Sequence, residues 1–309
     1  MSVEIPFRRE LEFEYGRVDL ISPPGAVPVR RVIARNPSAF TLYGTGTYIV
    51  GRGRVAVIDP GPALSDHVEA LAAAVAGEEV SHILVTHTHN DHSPATRPFK
   101  AKVGAGAVYG YGPHGSGREG VQVEEGGDME FVPEVEVRDG DRIEGDGWSF
   151  ECVHTPGHTS NHICFALRED RILFSGDHVM GWSTSVISPP DGDMSDYLRS
   201  LSRLLERDEV RYWPTHGPCI EDPKPYVRAF IAHRREREEQ ILACLRDGVG
   251  RIPDMVLRMY AGLAPGLVPA AGRSVFAAML RLVEGGQVVT EGEPSLESVY
   301  RLPRVVGFG

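Results

Sequence analysis

A seven-residue segment of the sequence limits the fold more than any other feature. Residues 86–92 read Thr-His-Thr-His-Asn-Asp-His, which places four candidate metal ligands within six positions: His87, His89, Asp91 and His92. Imidazole nitrogens and carboxylate oxygens are the ligands that a borderline cation such as zinc prefers. The apolar run Ile83–Val85 stops directly before this cluster. The pattern predicts that the cluster follows the end of a buried strand.

Three further apolar runs lead into a residue of the ligand type that is flanked by Gly or Pro. They are Phe150–Val153 before His158, Ile172–Phe174 before Asp177, and Tyr212–Trp213 before His216. Residues at strand ends converge in space although they are distant in sequence, and α/β enzymes place their sites there. The sequence therefore predicts one shared metal site at a sheet edge.

The candidate ligands are numerous enough for two ions. They divide into His87, His89 and His158 for one ion, Asp91, His92 and His216 for the other, and Asp177 as a bridge between the two. A water held between two such ions has a pKa low enough to supply hydroxide near neutral pH. We predict two divalent cations per chain, with zinc as the expected metal. Asp91, which would orient the nucleophile, and Asp177 are the predicted catalytic residues.

The first 223 residues alternate strand and helix patterns. The predicted strands are 47–50, 54–58, 82–86, 148–154, 162–167, 171–175 and 210–213, and the predicted helices are 66–76 and 194–207. Strands mixed with helices over this length predict an α/β protein whose sheets are covered by helices.

The pattern changes after residue 223. Predicted helices at 226–246, 253–261 and 274–284 are followed by a small hairpin with strands at 287–290 and 298–302. Three helices and a hairpin are the elements of a winged-helix module. We therefore predict two domains, a hydrolase domain at 1–223 and a winged-helix-like domain at 224–309.

Composition narrows the class of protein. Four cysteines without a CxxC pair favour buried thiols in a reducing compartment. There is no run of about 18 apolar residues and no apolar signal region at the start, so we expect a cytoplasmic protein with no membrane partner. The net charge of −11 argues against general nucleic-acid binding, although residues 224–309 carry 12 Lys and Arg against 9 Asp and Glu.

Four motifs together resemble the metallo-β-lactamase superfamily in its glyoxalase II-like branch. They are HxHxDH at 87–92, TPGHT at 155–159, SGD at 175–177 and PTHG at 214–217. The resemblance covers residues from about 40 to 220 and matches all seven ligand positions. It implies an αββα sandwich with a dinuclear, usually zinc, centre in the cleft where the sheets meet.

The layout is most similar to the beta-lactamase-like protein 2 group, because of the C-terminal helices and the long loop Gly181–Asp193. Members of that group carry a winged-helix tail, and some cleave single-stranded RNA. Two features depart from the family pattern. Ser93-Pro-Ala follows the histidine motif where glycines are usual, and His178 follows Asp177. His178 either supports a ligand or transfers a proton, or it is structural. Ser183, Thr184 and Ser185 either line a pocket or are ordinary loop residues.

The favoured function is hydrolysis of an ester, thioester or similar small acyl substrate by bridging hydroxide. An endoribonuclease is the first alternative, with RNA held by the C-terminal module. Against it, we expect the alternating charges at 234–239 to pair along a helix face. A winged-helix regulator with a ligand-sensing metallo domain and a flavodiiron-type redox centre are further alternatives. Lactam hydrolysis is not expected. The sequence predicts no oligomeric state.

Overall fold

Two β-sheets face each other in the computed structural model, which describes residues 4–115 and 126–304. The first sheet runs in chain order through β1 (Asp19–Leu20), β2 (Val29–Ile33), β3 (Gly46–Arg52), β4 (Arg54–Ile58), β5 (Glu79–Leu84), β6 (Ala107–Gly110) and β7 (Val135–Glu136). The second has the order β12-β11-β10-β9-β8 and consists of β8 (Arg142–Gly145), β9 (Trp148–His154), β10 (Ile163–Leu167), β11 (Ile172–Gly176) and β12 (Arg211–Pro214).

Helices cover the outer faces and build the C-terminal part. They are α1 (Ser65–Ala74), α2 (Thr96–Val103), α3 (Met194–Glu206), α4 (Pro223–Arg246), α5 (Ile252–Met259) and α6 (Val268–Glu284), the last preceded by a 3₁₀ turn at Pro265–Leu267. A small hairpin of β13 (Val289–Thr290) and β14 (Tyr300–Arg301) closes the described chain.

Strand alternation produces the layers. In β10, Phe165 and Leu167 point into the core between the sheets, whereas Cys164 and Ala166 point to the outer face. That outer face packs against α3 and the first turns of α4, while α1 and α2 cover the first sheet. The layers are therefore helix, sheet, sheet, helix, which confirms the predicted αββα sandwich.

Helix α4 joins two hydrophobic cores. Its first half buries Tyr226 and Phe230 against the second sheet, and its second half buries Ile241 and Leu245 against α5 and α6. The domain boundary at residue 223 coincides with the first residue of α4 and stays a prediction.

One helical stretch, Pro265–Glu284, passes the length and composition test for a membrane span with a mean hydropathy of 1.3. Its residues Val275, Met279 and Leu282 are buried against α4 and α5. About 33% of the apolar segment is buried inside the protein, so one face of the helix packs in the C-terminal core.

Strand direction sets the position of the site. Strands β4 and β5 are parallel, as are β11 and β12, and β9 and β11 are each antiparallel to β10. The carboxyl ends of β9, β11 and β12 therefore lie at one edge of the second sheet, and those of β4 and β5 share an edge of the first.

Most predicted elements are present with ends that differ by a few residues, but β1, β2, β6, β7, β8 and α2 were not predicted. Strand β2 reads Val-Arg-Arg-Val-Ile, and its two arginines hide the strand pattern. Arg31 is buried because its guanidinium lies over the Trp213 ring at 5.6 Å and donates to the Gly217 carbonyl.

Candidate metal centre

All seven predicted ligands lie together at the edge described above. His87, His89, Asp91 and His92 occupy the segment that follows β5, and the others lie after β9, β11 and β12, namely His158, Asp177 and His216. Six of the seven are buried, and Asp91 keeps 22% of its side chain exposed.

Two glycines permit the turns that carry ligands. Gly157, before His158, has a φ of +135°, and a Cβ there would lie 2.3 Å from the Tyr197 Cα at the start of α3. Gly176, before Asp177, has a φ of +50°, and its Cβ would lie 2.5 Å from the His162 ring. Only glycine fits such close approaches at positive φ without strain.

Three imidazoles form one side of the cluster. His89 Nδ1 lies 3.0 Å from His87 Nε2 and 3.1 Å from His158 Nε2. Two ligands of a tetrahedral zinc ion, each about 2.0–2.1 Å from the metal, lie roughly 3.3 Å apart. The three nitrogens therefore match one face of such an ion.

Two carboxylates form the other side. His216 Nε2 lies 3.1 Å from Asp91 Oδ2 and 3.4 Å from Asp177 Oδ2. The same Asp177 oxygen lies 3.6 Å from His92 Nε2 and 3.8 Å from His158 Nε2. Asp177 thus adjoins both sides, which is the placement a bridging residue requires.

Unpartnered buried atoms support the fit to a cation. Within the described residues, His92 Nε2 and Asp177 Oδ1 are buried and have no hydrogen-bond partner. Buried polar atoms without a partner are costly, and both atoms point into groups of potential ligands. The donor set of nitrogens and carboxylate oxygens suits zinc or a similar divalent ion.

Two of the candidate ligand histidines are oriented through the ring nitrogen that faces away from the cluster. His158 Nδ1 donates to the Val186 carbonyl at 2.6 Å and His216 Nδ1 to the Gly44 carbonyl at 3.2 Å. These bonds leave Nε2 of both rings free to act as a ligand.

Asp59 is a supporting residue that the sequence interpretation missed. Its carboxylate accepts bonds from the Thr86 amide and hydroxyl, both at 2.7 Å, from His92 Nδ1 at 3.0 Å and from the Thr215 hydroxyl at 3.2 Å. Thr86 in turn contacts His87 Nδ1 at 3.1 Å. The signal was present, because Asp59 follows the apolar strand β4 and precedes a Pro-Gly pair.

Charge divides the cluster. Burial, reinforced by neighbouring histidines, lowers the pKa of His87 and His89 well below the usual value, so both are neutral. Burial also acts against a charge on His216, but Asp177 and Asp91 outweigh it and raise the pKa of that ring to about 10. A cation on the carboxylate side therefore replaces a proton.

Three further histidines lie on the segments that carry the ligands. His162 accepts the Asp177 amide at 3.2 Å and bonds the Thr155 hydroxyl, so it supports a candidate ligand. His154 stacks on Tyr111 at 4.0 Å, outside the cluster. His178 is buried against Tyr197, and burial lowers its pKa to about 3. Neither ring nitrogen of His178 has a hydrogen-bond partner among the described residues.

A cavity of about 520 Å³ adjoins the cluster and reaches His158 and Asp177. The loop residues Ser183, Thr184 and Ser185 line it, as do residues of α4 and of the segment that follows α5. The expectation that the charges at 234–239 pair along their helix is wrong for three of them, since Arg234 and Arg237 face the cavity and Glu238 bonds Arg281 of α6 at 2.6 Å. Glu239 does pair along α4, with Arg246 at 3.7 Å.

Sequence comparison agrees with this geometry. The sequence profile of the Metallo-beta-lactamase superfamily matches residues 41–216, more than half of the chain. The chain belongs to the metallo-beta-lactamase superfamily. A second profile, the Beta-lactamase associated winged helix domain, matches residues 252–296. Both findings confirm the fold predicted from the sequence, and the chain is an enzyme of the metallohydrolase class.

Similar proteins extend along most of the chain. It is 31% identical to the Beta-lactamase-like protein 2 homolog of Caenorhabditis elegans over 71% of each protein. It is 32% identical to the Atrochrysone carboxyl ACP thioesterase of Aspergillus fumigatus, over 74% of this chain and 67% of that protein. A Beta-lactamase domain protein from Burkholderia ambifaria has the same fold, with a TM-score of 0.75 at 19% identity over 97% of each chain.

Proposed function

We propose that this enzyme is a dinuclear zinc hydrolase of acyl thioesters or closely related esters. The observation that carries the proposal is the position of Asp177, whose Oδ2 lies 3.8 Å from His158 of one ligand group and 3.4 Å from His216 of the other. One carboxylate between two ligand groups is the arrangement that a bridged pair of ions needs. Divalent cations bound there supply Lewis acidity for a substrate carbonyl oxygen and for a nucleophilic water.

The chain's own residues position the reactants. Asp91 accepts a bond from the Thr45 hydroxyl at 3.3 Å, which helps to fix its carboxylate. It is also the most exposed of the seven predicted ligands, so its carboxylate can orient a water at the cluster. Asp177 is held through its amide by His162, and its carbonyl accepts the Ser185 hydroxyl at 2.6 Å. Both carboxylates are thus fixed before substrate binds.

The cavity favours a small acyl substrate. Its volume lies within the range of small-molecule sites, and apolar side chains such as Leu42, Met180 and Leu263 line it together with Asp177. The relatives named as thioesterases support a thioester as the bond that is cleaved. A cytoplasmic location and membership of the glyoxalase II-like branch remain predictions.

The experiment is a metal titration coupled to a substrate screen. Metal-free protein is reconstituted with zinc, the bound metal is counted by elemental analysis, and hydrolysis of thioesters, lactones and short single-stranded RNA is compared. We expect two zinc ions per chain and the highest kcat/KM for a thioester. One ion at saturation would contradict the bridged centre. A preference for RNA would contradict the thioesterase proposal and would support the alternative function of an endoribonuclease.

A further inference from the structure

Three arginines line the cavity, although the ligand cluster makes no use of them. Arg9, Arg234 and Arg237 come from the N-terminal segment and from α4. Among the described residues that line the cavity, Asp177 is the one carboxylate, and its charge belongs to the metal cluster. The cavity outside the cluster is therefore positively charged.

Arg234 is buried with its charge. It is 5% exposed, it donates to the Ser185 carbonyl, and its guanidinium lies 5.2 Å from the centre of the Tyr197 ring. Its Nε is buried without a hydrogen-bond partner. Both contacts are with uncharged groups, so the positive charge acts on the cavity through a medium of low dielectric constant.

Arg237 lies one helical turn further along α4 and is only partly buried. Its Nη1 donates to Gln240 Oε1 at 2.7 Å, its Nε to His233 Nε2 at 3.3 Å, and its guanidinium lies 4.7 Å from the centre of the Tyr260 ring. These contacts orient the group without neutralising it. A guanidinium fixed in this way is suited to bind a carboxylate or a phosphate.

Another part of the cavity lining is apolar. Tyr260, Leu263, Leu267 and Ala270 lie between α5 and the first turn of α6. A ligand that fits both the arginines and the apolar residues combines an anionic group with a hydrocarbon part. An uncharged short acyl thioester would leave the arginines without an anionic partner.

We propose that the cavity selects thioesters that carry an oxyanion away from the scissile bond, and that Arg237 is the specificity residue that anchors it. The oxyanion is either a carboxylate on the acyl group or a phosphate on the thiol carrier. The inference rests on the proposed function, because it assumes that a thioester reaches the metal cluster.

The test compares three substrates on the zinc-loaded enzyme. S-butyryl-N-acetylcysteamine is uncharged, S-succinyl-N-acetylcysteamine has a carboxylate on its acyl group, and butyryl-CoA has phosphates on its carrier. Each is measured with the wild type, with Arg237→Gln and with the matched control Arg235→Gln, whose residue is exposed on the same helix and lies outside the cavity lining. Thermal unfolding and metal content verify that all three proteins are folded and loaded.

We expect the wild type to prefer at least one charged substrate over the uncharged one. Arg237→Gln lowers kcat/KM for that substrate about ten- to a hundredfold, the effect of losing a charge-assisted hydrogen bond, mainly through KM. It leaves kcat/KM for the uncharged substrate unchanged, and Arg235→Gln has the kcat/KM values of the wild type for all three substrates. The substrate that responds identifies the oxyanion as carboxylate or phosphate. An equal loss for all three substrates, or no preference for charge in the wild type, overturns the proposal.

Binding separates this inference from the proposed function. The thioether analogues of the three substrates cannot be hydrolysed, and calorimetry measures their affinity for each variant. If no thioester is hydrolysed but the charged analogue binds more tightly through Arg237, the proposed function fails and the oxyanion site stands. If thioesters are hydrolysed and all three analogues bind with equal affinity, the proposed function stands and the oxyanion site fails.

Discussion

The ligand side and the cavity side of the site are built in different ways. On the ligand side, short segments after β4, β5, β9, β11 and β12 bring buried imidazoles and carboxylates together. Hydrogen bonds that the rings donate to Asp59 and to backbone carbonyls fix their orientation. On the cavity side, the lining residues are spread along the chain between Arg9 and Ser274, and they lie on loops and helices. The proposed chemistry thus depends on a rigid sheet edge, whereas the proposed substrate preference depends on elements packed around it.

This contrast predicts which substitutions remove activity altogether and which only change preference. Changes on the ligand side should alter metal content for every substrate. Changes on the cavity side, such as Arg237→Gln, should alter one class of substrate and leave the metal in place.

The largest effect is expected at Asp177. Asp177→Asn keeps the shape but removes the negative charge that offsets two cations, and an amide nitrogen is not a ligand. We expect at least one metal lost per chain and a fall in turnover of about a hundredfold or more, measured by elemental analysis and kinetics. His154→Gln is the control, since His154 bonds the Ser160 carbonyl outside the cluster. Two metals and near-normal turnover in Asp177→Asn would refute the bridged centre.

A smaller effect is expected at Asp59, which contacts the ligands but is not one of the seven. Asn tolerates its φ of +49°, so Asp59→Asn keeps the backbone while it weakens the support of His92 and Thr86. We expect metal affinity to fall about ten- to a hundredfold, measured by competition with a chelator. The exposed Asp146→Asn is the control. Unchanged metal affinity would show that the segment 86–92 keeps its geometry without the Asp59 carboxylate.

The smallest effect is expected on the stability of the folded protein at acidic pH. His67 lies beneath the ligand side and bonds the Thr47 hydroxyl, which in turn donates to the Asp59 carbonyl. Burial lowers the pKa of His67 to about 4. Because the folded state favours the neutral ring, its contribution is complete above the unfolded pKa of about 6.5 and is lost as the pH falls towards 4.

The measurement is denaturant unfolding of the metal-free protein at pH 8 and pH 5. This histidine should account for about 2 kcal/mol of the stability lost between those values. His67→Gln, which does not titrate, should lose that much less than the wild type. Equal losses in the two proteins would show that His67 is not held neutral by the fold.

Comparison of sequence and structure shows where local patterns are sufficient. The strand ends at Phe150–Val153, Ile172–Phe174 and Tyr212–Trp213 identified three ligand segments, because the apolar run and the polar residue after it are adjacent in the chain. The same rule applied to β4 would have found Asp59. The pattern failed at β2, where Arg31 is buried through contacts with Trp213 and Gly217, almost two hundred residues away.

The charges of α4 mark the limit of sequence reasoning. Arg234, Arg235 and Arg237 alternate with glutamates in a way that is typical of a solvated helix. In the structure, however, Arg234 is buried, Arg235 is exposed, and the Arg237 guanidinium lies over the Tyr260 ring. Short-range periodicity and residue type were sufficient to identify the set of candidate ligands and an α/β fold, whereas the αββα sandwich was implied by the resemblance of four motifs to a known family. Only the tertiary structure decided which arginines face the cavity, because that depends on which face of the helix packs against distant elements of the chain.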